Sequence, residues 1–105
     1  MLTEILNASR IRVWVVESPV PWSEGVKLFK KEMEPALKTQ KKAGLLKSYK
    51  VVQTGPNSGL NILEYETKAK MNKVIKATLA TRESVGDQMG GPQMWVYTGQ
   101  VKTSG

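Results

Sequence analysis

The side chains of this sequence that could carry out chemistry are mainly aromatic rings on segments that read as β-strands. Hydroxyl and indole N–H groups on such rings can orient an aromatic ligand inside an apolar pocket. The candidate pocket residues are Trp14, Tyr49, Tyr65 and Trp95. Rings of this kind also supply large buried areas to cores and interfaces, so a purely structural role remains an alternative.

The charged residues on the same strands are a second set of candidates. A carboxylate can act as a general base when burial raises its pKa, and an arginine can hold an anion. Arg12 is the candidate anion-binding residue, and Glu64, in the middle of a strand, is the candidate catalytic base. Strand ends and ion pairs at an interface would explain these charges without any chemistry.

The sequence contains no cysteine and no histidine. It therefore has no disulfide, catalytic thiol or thiolate metal site, and it lacks the usual general base near neutral pH and the usual haem ligand. The glycine-rich segments 54–59 and 86–92 lack the spacing of nucleotide-binding loops and predict turns, the second of which could act as a lid. We predict no metal and no cofactor.

The net charge of +7 allows a nucleic acid or an anionic membrane as a partner. The lysines, however, fall between the inward positions of two predicted helices, where solvated side chains are expected. The third predicted strand, LNILEYE, does not match the aromatic motif of RNA-recognition domains. Nucleic-acid binding is therefore disfavoured, and we expect no membrane association.

A chain of 105 residues is expected to form one domain, spanning 1–105. Its longest apolar run, 13–16, is too short to cross a membrane. The first residues lack the pattern of a signal peptide, so we expect a cytoplasmic protein.

Hydrophobic periodicity and turn residues predict four strands and two helices. Thr67 and Ser23 are the expected helix N-caps, and Pro35 should kink or divide the first helix. In chain order we predict a strand over 11–18, a helix over 23–44, strands over 45–54 and 60–66 around a turn, a helix over 68–82, a loop over 83–92 that could include a short helical turn, and a strand over 93–101. The order βαββαβ predicts a ferredoxin-like α+β fold, with two helices on one face of a four-stranded antiparallel sheet.

Every predicted strand has apolar residues on both faces. On the last strand, Met94 and Val96 form one set, and Trp95 and Tyr97 form the other. One face meets the helices, and an exposed apolar sheet face usually marks an interface. We therefore expect a homodimer in which two sheets pack face to face.

The segment LEYETKAKMNKVIKA, residues 63–77, resembles the strand-to-helix junction of the dimeric α+β barrel superfamily, which includes antibiotic-biosynthesis monooxygenase-like proteins. That junction has an aromatic residue, an acidic residue, a small polar cap, an alanine and a hydrophobic residue. The matching positions are Tyr65, Glu66, Thr67, Ala69 and Met71.

The resemblance implies homodimers whose sheets form a joint barrel, with a ligand pocket between each sheet and its own helices. The superfamily includes cofactor-independent monooxygenases, haem-degrading enzymes, isomerases and polyketide cyclases. The position of Tyr65 lines the pocket in some of these enzymes. Many relatives carry a histidine where this chain has Val74, so the resemblance does not extend to histidine-based cyclase chemistry or histidine-ligated haem.

Three functional hypotheses remain open at this point, because fold-level resemblance does not fix function. The first is a dimeric barrel that binds or transforms a small aromatic or polyketide-like molecule, as a cofactor-independent monooxygenase if it is an enzyme. The second is a non-catalytic dimeric binding or assembly module, and the third is a basic nucleic-acid-binding domain. A pocket with convergent polar groups favours the first hypothesis, and a filled core favours the second.

Overall fold

Four antiparallel strands form a single sheet in the computed structural model, which describes residues 8–104. The strands are β1 (Arg10–Glu17), β2 (Ser48–Gly55), β3 (Ser58–Tyr65) and β4 (Gln93–Gln100). Their spatial order is β2-β3-β1-β4, so the apolar strand β1 is one of the two central strands, a position that suits its two apolar faces. This order, with the helices on one side, confirms the ferredoxin-like α+β fold.

The first helix is interrupted by a π-helical turn. It comprises α1 (Trp22–Leu28), a π-helical segment (Phe29–Met33) and α2 (Glu34–Lys42). The division predicted near Pro35 thus takes the form of a π turn just before the proline, which has no N–H and crowds the preceding turn.

The predicted N-cap of the first helix is wrong. The helix begins at Trp22, and Pro21 occupies the cap position, so Ser23 lies inside the first turn. The backbone N–H of Trp22 donates to the carbonyl of Pro56 at 2.8 Å, which ties the helix start to the β2–β3 turn. This tertiary hydrogen bond satisfies one of the first-turn N–H groups that have no partner within the helix.

The second helix, α3 (Lys68–Gln88), is capped as predicted but is longer. The Thr67 hydroxyl accepts from the backbone N–H of Lys70 at 3.2 Å. The segment 83–88, predicted as a loop, continues the helix, because a single glycine costs only about 1 kcal/mol and the buried Met89 anchors the end. Gly90 and Gly91 then end the helix with φ angles of 82° and 72°.

The core lies between the sheet and the helices. Its most buried hydrophobic side chains, with an exposed fraction of at most 2%, are Leu37, Tyr65 and Val74. Met33, Met71 and Thr78 of the helices are also buried, whereas Leu79 is 47% exposed. No helix among the described residues is long and apolar enough to cross a membrane.

The sheet face opposite the helices carries two adjacent rows of apolar side chains. In one row Val13 of β1 pairs with Ile62 and Tyr97, and in the next Val15 pairs with Leu60 and Trp95. We call these six residues the outer apolar face. Trp95 and Tyr97 are 44% and 62% exposed, so the two aromatic rings of β4 lie on the outer apolar face and not in the core.

Candidate functional site

A cavity of about 330 Å³ lies between the sheet and the helices. Its floor is formed by alternate residues of the two central strands, because side chains two apart on a strand share a face. β1 contributes Arg12 and Trp14, which pair in register with Leu63 and Asn61 of β3. Tyr65, at the end of β3, completes the floor.

The helices form the walls of the cavity. The first helix presents Trp22, Phe29 and Met33, and α3 presents Thr78 and Arg82. The Thr78 hydroxyl donates to the Val74 carbonyl at 2.8 Å, so this buried polar group is satisfied within its own helix. The walls are therefore mostly apolar, as is usual for small-molecule sites.

The mouth of the cavity lies between the second half of α3 and strand β4. The lining residues that are also exposed lie there, and they include Leu79, Glu83, Asp87 and Met94. Leu79 and Met94 are each 47% exposed, so the opening is apolar with two carboxylates beside it.

Trp22 closes the end of the cavity away from Tyr65. Its ring lies directly on Gly59 of β3, where the absence of a side chain lets the indole approach the backbone. Gly25, one turn later, is similarly close to the Met89 side chain. Gly59 thus makes room for the Trp22 ring, which is 4% exposed, and Gly25 makes room for Met89.

Three buried polar atoms around this cavity have no hydrogen-bond partner among the described residues. They are Nε of Arg12, Nε1 of Trp22 and Oδ1 of Asn61, and all three residues line the cavity. Each unsatisfied buried group costs roughly 1–3 kcal/mol, and native proteins contain few of them. Two donors and one acceptor around the same space are the arrangement expected where a ligand or water supplies the missing partners.

Two guanidinium groups contact the same ring on the cavity floor. The guanidinium carbon of Arg12 lies 4.8 Å from the centroid of the Trp14 ring, and that of Arg82 lies 5.1 Å from it. Nη2 of Arg82 donates to the carbonyl of Ile75 at 3.1 Å. None of the ion pairs between described residues involves either arginine.

Cation–π contacts alone compensate these charges poorly. Such a contact contributes about 0.5–2 kcal/mol, whereas removing an ion from water costs several kcal/mol. Burial lowers the pKa of the Arg82 guanidinium and the nearby charge of Arg12 lowers it further, while Tyr65 and Glu83 act in the opposite direction with smaller effect. This region of the cavity therefore has a positive potential that the described carboxylates do not neutralise by pairing.

Tyr65 lies in the same positive field. Burial raises the pKa of its hydroxyl, while the charges of Arg12 and Arg82 act in the opposite direction. The hydroxyl is therefore protonated at neutral pH and is able to donate a hydrogen bond.

The structure brings together two of the four predicted pocket aromatics, Trp14 and Tyr65. Tyr49 lies on the helix side of the sheet but packs on Phe29, with ring centroids 6.1 Å apart, and does not line the cavity. Trp95 lies on the outer apolar face, because its strand position is one residue out of phase with that of Met94.

Glu64 does not fit the role of a base in this cavity. It lies between two cavity residues of β3, so strand alternation directs it to the opposite face of the sheet. Its carboxylate is 3.3 Å from the Lys47 ammonium group, in a partly exposed ion pair. The sequence correctly indicated a charge in mid-strand, but the face on which it lies gives it a different partner.

Sequence reasoning did not select Trp22, Asn61 or Arg82 as site residues. Asn61 had a readable signal, because a polar residue interrupts the otherwise apolar inward face that it shares with Leu63 and Tyr65. Arg82 was predicted as the last residue of a helix, and its contact with Trp14 depends on how α3 packs on the sheet, which the sequence pattern does not give. No group of His, Cys, Asp or Glu within the described part of the chain could hold a metal ion.

The fold resembles solved structures at very low sequence identity. SnoaB, a cofactor-independent oxygenase from Streptomyces nogalater, superposes in a variant form with a TM-score of 0.74 at 7% identity, covering 92% of this chain and 96% of that chain. A dimeric ferredoxin-like protein from an uncultured marine organism has a TM-score of 0.72 at 10% identity, covering 99% and 96%.

A third similar structure is assigned as an antibiotic biosynthesis monooxygenase from Caulobacter crescentus. Its TM-score is 0.71 at 14% identity, and the match covers 98% of this chain and 100% of that chain. A comparison with protein-family models finds no match. A comparison with curated proteins finds no significantly similar sequence. The likenesses confirm the fold-level resemblance to monooxygenase-like and dimeric ferredoxin-like proteins, and identities this low establish the fold alone.

Proposed function

We propose that this protein binds a small aromatic or polyketide-like molecule in the cavity between the sheet and the helices. The observation that carries the proposal is that three side chains lining one mostly apolar cavity, Arg12, Trp22 and Asn61, each have a buried polar atom with no partner among the described residues. Apolar walls supply affinity for a hydrophobic molecule, and the polar atoms fix its orientation.

The proposal includes a homodimer formed through the outer apolar face. Two adjacent rows of apolar side chains on one sheet face are the surface that a second copy would cover. The solved neighbours that are described as dimeric ferredoxin-like proteins support a second copy as the occupant.

We further propose cofactor-independent oxygenation as the reaction. A bound molecule with an acidic CH₂ group loses a proton, and Arg12 and Arg82 stabilise the resulting anion. The carboxylates that line the cavity mouth, Glu83 and Asp87, are the proton acceptors. One atom of O₂ becomes a carbonyl oxygen and the other leaves as water, so the CH₂ carbon supplies all the electrons.

Binding is tested with N-phenylnaphthylamine, a neutral aromatic probe that fluoresces strongly in apolar sites. We expect saturable enhancement in the wild type. Gly86→Phe should weaken binding by about 10-fold or more, because Gly86 lines the cavity and an added Cβ meets no atom within 4 Å. The control is Ala80→Phe, which adds the same ring at an exposed position of α3. Equal binding by both variants would show that the probe does not use the cavity.

Catalysis is tested by oxygen uptake with anthrone, a small tricyclic aromatic with one acidic CH₂ group. We expect uptake about 10-fold or more above the spontaneous rate, since anion stabilisation contributes at least this much in comparable sites. Gly86→Phe should remove the excess, and Ala80→Phe should retain it. Uptake equal to that in buffer, with probe binding intact, would contradict the oxygenase proposal and favour the non-catalytic binding module.

A further inference from the structure

The region of the cavity around Trp14 differs chemically from the rest. The inference drawn from it rests on the proposed function and specifies the class of ligand. We propose that Arg12 and Arg82 form an anion subsite, so that the natural ligand is a hydrophobic molecule carrying a negatively charged oxygen group such as a carboxylate, phenolate or enolate.

Among the described residues, no carboxylate is in salt-bridge contact with either of the two cations, although the charge of Glu83 acts on Arg82 from a greater distance. Arg12 and Arg82 both lie against the Trp14 ring, at 4.8 and 5.1 Å from its centroid. No ion pair among the described residues engages either guanidinium, although Glu83 is adjacent to Arg82 in sequence. Two like charges in one partly buried region repel each other, and an anion between them removes that repulsion.

The two arginines that line the cavity also have hydrogen-bonding capacity that the described residues do not use. Nε of Arg12 is buried and has no partner among the described residues. The Arg82 guanidinium donates from Nη2 to a backbone carbonyl, which anchors the group and leaves other N–H donors of its planar fork available. Guanidinium groups bind carboxylate and related oxygens through paired donors, so the geometry suits an oxyanion.

The polar groups at the two ends of the cavity differ in charge. Trp22 and Asn61 offer one donor and one acceptor, which suit a neutral carbonyl or hydroxyl group of the ligand. Only the region around Trp14 combines two positive charges with the Tyr65 hydroxyl. We therefore infer a ligand with its charge at the Arg12–Arg82 end and a neutral polar group toward Trp22 or Asn61.

The test compares two probes that share the same rings. Anilinonaphthalenesulfonate carries one negative charge, and N-phenylnaphthylamine is its neutral counterpart. We expect the wild type to bind the anionic probe about 10-fold more tightly than the neutral one. Arg82→Met and Arg12→Met should each lower the affinity for the anionic probe by about 10-fold. Each should change the affinity for the neutral probe by less than about 2-fold.

The control is Lys73→Met, which removes one positive charge from an exposed position of α3. It should leave both affinities unchanged, because a surface lysine does not reach the cavity. Arg82→Lys provides a second variant that keeps the charge and should retain part of the preference. Thermal unfolding of each variant establishes that the fold is intact.

Three outcomes would overturn the subsite. The first is equal affinity of the wild type for the two probes. The second is an equal loss of affinity for both probes in the arginine variants. The third is a loss of affinity for the anionic probe in Lys73→Met as large as in Arg82→Met. If the neutral probe still binds and remains sensitive to Gly86→Phe, the subsite alone fails. If neither probe binds the cavity, the proposed function fails with it.

Discussion

Replacing Gly59 with alanine is expected to destabilise the protein by about 3 kcal/mol, the upper part of the range for forced overpacking. The new Cβ would collide with the indole ring of Trp22 and lie 2.5 Å from the Val52 carbonyl oxygen. The ring belongs to a side chain that is 4% exposed, and the carbonyl belongs to the paired strand, so neither is free to move away. The free energy of unfolding is measured by urea titration.

Gly99→Ala is the matched control, because Gly99 is also a strand glycine but has no atom within 4 Å of an added Cβ. Its effect should stay within about 0.5 kcal/mol. Because Trp22 forms part of the cavity wall, Gly59→Ala should also lower the affinity for the neutral probe. A loss no larger than that of Gly99→Ala would contradict the packing of Trp22 on Gly59.

Replacing Val13 with lysine is expected to separate the proposed homodimer into monomers. Val13 lies on the central strand between Ile62 and Tyr97, in the middle of the outer apolar face. A two-fold interface contains every substitution twice, so each dimer would bury two unpaired ammonium groups. The dissociation constant should rise by about 1,000-fold, or about 4 kcal/mol, as measured by sedimentation velocity over a range of concentrations.

The control is Ala80→Lys, which adds the same charge to an exposed position of α3 and should leave the dimer intact. The fluorescence of Trp95 should shift to longer wavelength on dissociation of the wild type, because the ring is exposed in a single chain. A wild type that is monomeric at all concentrations would contradict the dimer, and the outer apolar face would then need another occupant.

The nucleic-acid hypothesis receives no specific support from the structure. The exposed aromatic rings lie on the outer apolar face. The charged residues beside them are Lys50 and the Glu64–Lys47 ion pair, which lie at the edge of that face. Single-strand binding combines stacking rings with a basic groove, and the helix lysines lie on the other side of the sheet. The cavity, in contrast, combines burial, shape and unsatisfied polar groups in one place.

Local sequence signals were sufficient for the architecture. Alternation and β-branched residues identified all four strands, and Thr67 identified the start of α3, because these features depend on neighbours within a few positions. The end of α3 was not predictable in this way. Glu83 to Gln88 form helix because Val85 lines the cavity and Met89 is buried in its packing, and both contacts are remote in sequence.

The sequence by itself determined the order of elements, the ferredoxin-like fold and the presence of aromatic residues on both sheet faces, since each follows from period, turn chemistry and composition. Only the tertiary structure decided which of those rings meet in a cavity. The alternation of side chains along a strand predicts that Glu64 and Tyr65 lie on opposite faces of the sheet, but it does not predict which face the helices cover. Packing of the helices made Tyr65, Trp14 and Arg82 neighbours and left Trp95 and Glu64 on the other side.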